Sequence, residues 1–157
     1  METTTFKSVE RTQRHRSATV VMAGAAIAAS AVAILLLAGL HALSPEFNPT
    51  WRMVSEYALG QYGWVLSLVF AFWAIGSWAL AFAVRSRLRT TGGRIGWWLL
   101  IVAGVGEALA ALFDVRNAAM HNLAAFLGIL GLPVSAMLIS VSLGRSRGPS
   151  RARSALL

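Results

Sequence analysis

The sequence predicts an all-α integral membrane protein, a four-helix bundle with both termini in the cytoplasm and a short outer interfacial helix between helices 1 and 2. Three observations carry that prediction. Four long apolar runs follow one another along the chain, the charged residues lie in blocks between them, and 57% of the 157 residues are hydrophobic while only 13% are charged. Ordinary soluble domains are about 45 to 50% apolar and intersperse their charges. A net charge of +8 suggests a nucleic-acid binder at first sight. Such proteins display Lys and Arg on a folded, accessible face, whereas these cluster at the ends of apolar runs, so no nucleic-acid partner is expected. The absence of cysteine removes disulfide frameworks, thiolate metal sites and thiol catalysis.

Residues 1–17 form a basic tail with Lys7, Arg11, Arg14 and Arg16. A secretory signal also starts this way, but its apolar region is about 7 to 15 residues long. The uncharged run at 18–43 exceeds that and exceeds the roughly 20 residues needed to cross a bilayer, so a retained first span is expected. The 19 residues 44–62 are too many for a minimal turn. Pro45 and Pro49 stop the first helix there, Thr50 can cap a new one, and Trp51, Val54 and Ala58 share a face, which predicts an interfacial helix over 51–59 ended by Gly60.

The second span is expected at 63–84, the third at 95–113 with one charge, Glu107, and the fourth at 120–143 with a bend at Pro133. Residues 145–157 form a second basic tail. Both tails, with polar residues between the basic ones, are expected to be disordered. Twelve of the fourteen basic residues fall in the two tails and the 85–94 connection, leaving Arg52 and Arg116 on the other side. The positive-inside rule then places both termini in the cytoplasm of a multi-pass cell-membrane protein. Trp51 and Trp64 mark the outer interface and Trp97 and Trp98 the inner one. Small residues on the third span, Ala103, Gly104, Ala108 and Ala111, are expected at helix contacts. Abundant Arg and Ala point to a high-GC bacterial source.

Titratable groups gather toward the outer side: His41, Glu56, Asp114 and His121, with Glu107 about 10 Å deeper than Asp114 on nearly the same helix face. A carboxyl group inside a span costs roughly 2.5 to 3.5 kcal/mol on insertion scales, so Glu107 is expected to face the interior with a partner or a proton. His41, Glu56, Asp114 and His121 are the candidate ligands for a divalent metal. Glu56, Asp114, His121 and Glu107 are the catalytic candidates, with Ser55 beside Glu56 as a nucleophile and His121 as its base. No helical metalloprotease motif, nucleophile elbow or phosphate loop supports either.

Ser55, Glu56, Tyr57, Ala58, Leu59, Gly60, Gln61, Tyr62, Gly63 and Trp64 form a stretch that resembles the signature before the second helix of the membrane family catalogued as domain of unknown function 998. Relatives tend to carry an Asp after the third helix and a His opening the fourth, which Asp114 and His121 match. Gln61 stands where Pro is frequent, and many relatives continue to five or six spans. The resemblance covers most of 18–144 and implies the membrane fold without an activity. A more distant likeness links it to membrane hydrolases that use Ser, Asp and His around a metal.

The leading expectation is a small polytopic membrane protein that acts through helix, lipid or partner contacts, with no assigned enzymatic activity. Its alternatives are a metal-dependent membrane hydrolase with the outer His and carboxylate groups, and a small proton-coupled transporter using Glu107. Expected partners are the bilayer, anionic lipids at the cytoplasmic face, and a second copy of the chain or another membrane protein. No cofactor beyond that metal is expected.

Overall fold

The computed structural model describes residues 2–146, and among these there is no strand. Four helices, α1 (Glu2–Leu43), α2 (Gly63–Val84), α3 (Thr91–Leu112) and α4 (Ala118–Ser146), are joined by connections that contain two 3-10 helices, Val54–Leu59 and Arg85–Arg87. Each of the four is long and apolar enough to cross a membrane. Large apolar side chains such as Ile27, Leu35, Phe82, Phe126 and Ile129 stand exposed on them. In water so much outward apolar surface would drive aggregation, whereas in a bilayer it faces its own solvent. The chain is a multi-pass membrane protein.

Helix ends follow local chemistry. α2 occupies its expected span. α1 stops at Leu43 because Pro45 follows, but it begins at Glu2, so the N-terminal basic segment expected to be disordered continues the helix. That segment contains no Pro or Gly to interrupt the backbone ladder. α3 starts four residues before the expected Ile95 because the Thr90 hydroxyl caps it, accepting from the Gly93 amide at 3.0 Å. At its other end Phe113 is already extended, so Asp114 lies in the turn and does not continue the Glu107 helix face. Asn117 accepts from the Met120 amide at 3.3 Å, which brings the start of α4 forward to Ala118. α4 runs through Pro133 without a break. Arg145 lies in this helix, while Arg147, Arg151, Arg153 and the remaining C-terminal tail lie outside the described residues.

The expected interfacial helix over 51–59 is shorter than anticipated. Asn48 accepts from the Thr50 amide at 2.9 Å and the Thr50 hydroxyl at 2.7 Å, so Thr50 closes an Asx-type turn instead of capping a helix. Only Val54–Leu59 is helical, as a 3-10 segment whose Tyr57 and Ala58 are buried against the bundle.

Successive helices run antiparallel. Gly76 of α2 lies against Ala26 and Ser30 of α1, the Trp97 indole on α3 donates to the Ala81 carbonyl on α2 at 2.8 Å, and the Thr90 hydroxyl donates to Ser142 of α4 at 2.8 Å. The N-terminal part of α1, the 85–90 connection and the end of α4 therefore share one end, here the basic end. The other two connections form the loop end. Trp51 and Trp64 at the loop end and Trp98 at the basic end are exposed, as interfacial residues should be. Trp97 differs: its bond to Ala81 turns it inward.

α1 packs on α2, α2 on α3 and α3 on α4, while α2 and α4 hardly touch. The α3 and α4 backbones approach closely at Gly96, beside the Ser135 carbonyl, and at Gly106. A Cβ on Gly106 would lie 2.8 Å from the Ala124 carbonyl oxygen, the Gly128 nitrogen and Leu127 Cβ. Close backbone approach is what drives helix association where lipid offers no hydrophobic gain. Of the expected contact residues, Ala103 and Gly104 are fully buried, the latter under the Trp78 indole, and Ala108 and Ala111 are half-buried.

Candidate functional site

The separation of α2 from α4 leaves a groove with α3 at its back. Phe70 and Trp73 of α2 form one wall, and His121, Asn122, Ala125, Gly128, Ile129 and Leu132 of α4 form the other. Gly106, Glu107 and Ala110 of α3 line the back, while Met53, Val54, Ser55, Glu56 and Leu59 of the loop-end connection, with Val115 and Arg116, close it from above. The resulting cavity measures about 880 Å³, within the range of small-molecule sites. Its polar groups lie near the loop end. The walls farther in are apolar.

Glu107 stands part-way down, five residues before the end of α3 and so roughly 8 Å below it. It is almost fully buried, and its Oε2 accepts from the Ser77 hydroxyl of α2 at 2.8 Å. No other protein group bonds it, and no Arg, Lys or His pairs with it among the described residues. Gly128 is what leaves room beside it: a Cβ there would meet only Glu107 Cγ, at 3.9 Å.

Tyr57 holds the cover in place. It is completely buried, its phenol donates to the Phe47 carbonyl at 2.7 Å, and its ring sits 5.3 Å from Phe47 and 5.2 Å from His41. Burial, with the Glu46 carboxylate adding to it, pushes this phenol above its ordinary range. Gly63 lets α2 begin directly under the same segment, since a Cβ there would lie 2.9 Å from the Ala58 carbonyl carbon. Arg116 ties the other connection in: its guanidinium pairs with Asp114 and donates to the Ala58 carbonyl at 3.1 Å.

The sequence-predicted residues divide accordingly. Glu56, Glu107 and His121 line the one cavity, together with Ser55. Glu56 lies 3.6 Å from Arg52, and His121 Nδ1 is 3.2 Å from the Phe113 carbonyl. Asp114 is occupied by Arg116, from its backbone amide at 2.9 Å as well as its guanidinium, and does not line the cavity. His41 lies apart against Tyr57, with Nδ1 buried and unbonded. Among the described residues no group of three or more His, Asp and Glu is placed to hold a metal ion. Nor does a hydrogen bond link Ser55 to Glu56 or His121.

Phe70, Trp73 and Gly128 carry no signal in the sequence, because each sits in a uniformly apolar helix where nothing local separates groove from lipid. Arg116 reads locally as a turn residue. Its bond to Ala58 spans 58 positions and has no local signature.

The family described as "Protein of unknown function (DUF998)" matches residues 22–157, and the chain belongs to it. No curated protein and no solved structure matches the chain.

Proposed function

We propose that this member of the family acts by binding an amphipathic, lipid-like molecule in the groove between α2 and α4, on the non-cytoplasmic side of the cell membrane. The single observation that carries this reading is the cavity itself: apolar walls open toward the bilayer, with polar groups confined to the loop end and one buried carboxyl below them. That gradient matches a molecule with a polar head and a hydrocarbon tail. The positive-inside rule supports this orientation: Arg85, Arg87, Arg89, Arg94 and Arg145 lie toward the end of the bundle opposite the loop end. Those same residues can attract anionic lipids at the cytoplasmic face.

The test is photolabelling in vesicles with a diazirine-bearing alkyl alcohol, followed by mapping of the labelled residues. Labelling should concentrate on Trp73, Ala125 and Ile129 and be lost in Gly128→Phe, whose ring fills the space over Glu107. Uniform labelling of all lipid-facing residues, unchanged in that variant, would overturn the proposal.

A further inference from the structure

We infer that the occupant of this groove is a lipophilic amine, held as its ammonium by Glu107. The inference rests on the binding reading above and adds the chemistry of the head group. A buried carboxyl in a membrane span takes a partner or a proton, because an isolated charge there is costly, and its ionised form pairs with another group or with a ligand. Glu107 has only the Ser77 hydroxyl, which donates to Oε2. Its other oxygen takes no protein hydrogen bond, and Glu107 lines the cavity.

The protein's own cations near the groove are engaged elsewhere. Arg116 is turned to Asp114 and the Ala58 carbonyl, Arg52 lies beside Glu56, and His121 is directed by Nδ1 to the Phe113 carbonyl. Where Glu107 is ionised, its positive partner therefore comes with the occupant. A primary ammonium fits best, since its N–H groups can donate to the free oxygen in a charge-assisted bond. Gly128 leaves the space above Glu107 in which such a head can sit. From there a hydrocarbon tail runs along Ile129 and Leu132, toward the middle of the span and away from the polar loop end.

The experiment uses the full chain in phosphatidylcholine vesicles and measures displacement of the photoactivatable alkyl alcohol by three amphiphiles of equal chain length: dodecylamine, dodecanol and dodecanoate. Dodecylamine should half-displace the probe at a membrane mole fraction about tenfold below that of dodecanol, the difference between a charge-assisted and a neutral hydrogen bond. Dodecanoate should be weakest. In Glu107→Gln, which keeps an acceptor for Ser77, the preference for the amine should collapse toward one. Equal potency of amine and alcohol in the wild type overturns the head-group assignment, whether or not the variant folds, while displacement by both that is lost in Gly128→Phe leaves the cavity reading standing. Displacement by none of the three, with labelling unaffected by Gly128→Phe, overturns both. A preference for dodecylamine that persists in folded Glu107→Gln overturns the assignment to Glu107.

Discussion

Gly106→Ala adds one methyl group and should still loosen the protein, because of where that methyl must go. The new Cβ would stand 2.8 Å from the Ala124 carbonyl oxygen and the Gly128 nitrogen, both backbone atoms that cannot rotate away. Ordinary contact begins at 3.4 Å, so α3 and α4 have to part by a substantial fraction of an ångström at this crossing. Overpacking of this kind costs about 1 to 3 kcal/mol, which is roughly a 5- to 150-fold rise in the unfolding constant. Gly39→Ala is the matched control. It lies in α1 with nothing within 4 Å of its added Cβ, so the same methyl should be neutral or stabilise by at most about 1 kcal/mol through helix propensity. Reversible unfolding of the two variants in mixed micelles, followed by tryptophan fluorescence, compares them directly. Equal stability of Gly106→Ala and Gly39→Ala would refute the close α3–α4 approach.

Three further outcomes follow from the loop end and the charge pattern. Tyr57→Phe removes the phenol that donates to Phe47 and should cost about 1 kcal/mol at neutral pH, read in the same unfolding assay. The cost should shrink in alkaline solution. The folded protein holds the phenol neutral above its ordinary value of 10.0, so as pH passes that value the unfolded chain loses a proton that the folded chain keeps. Wild-type stability then falls relative to Tyr57→Phe, and a gap independent of pH between 8 and 11 would count against burial of this phenol. Arg116→Ala should release the α3–α4 connection from Ala58 and speed hydrogen exchange in 53–59, with a stability loss of about 1 kcal/mol or less because the ion pair is largely exposed. Since the chain contains no cysteine, single cysteines at Ser86 and Thr50 can be labelled without background from native thiols. In intact cells a membrane-impermeant maleimide should reach position 50 and spare position 86, and the reverse pattern would invert the proposed orientation.

Much of this architecture is legible in the sequence. The 63–84 span needed no revision, because hydropathy is a property of each residue and its average over twenty positions reports the solvent directly. The start of α3 was misplaced because Thr90 acts as a cap only once Gly93 and the rest of the first turn follow it into the helix. The Thr50 cap failed for the opposite reason, since Asn48 offers a competing side-chain oxygen two residues away. Glu107 was recognisable as an interior residue from its cost alone, but its Ser77 partner was not, because α2 is apolar around its whole circumference and gives no face to point with.

By itself, then, the sequence determined the solvent of this protein, the number of its spans and the residues too expensive to leave facing lipid. Which faces meet was decided only by the tertiary structure. In helices without a polar side, neighbours are selected by how closely two backbones can approach, and that depends on single glycines such as Gly106 meeting the right stretch of another helix. The same packing holds α2 away from α4, and so brings Glu56, Glu107 and His121 to one cavity while leaving His41 against Tyr57 and Asp114 with Arg116.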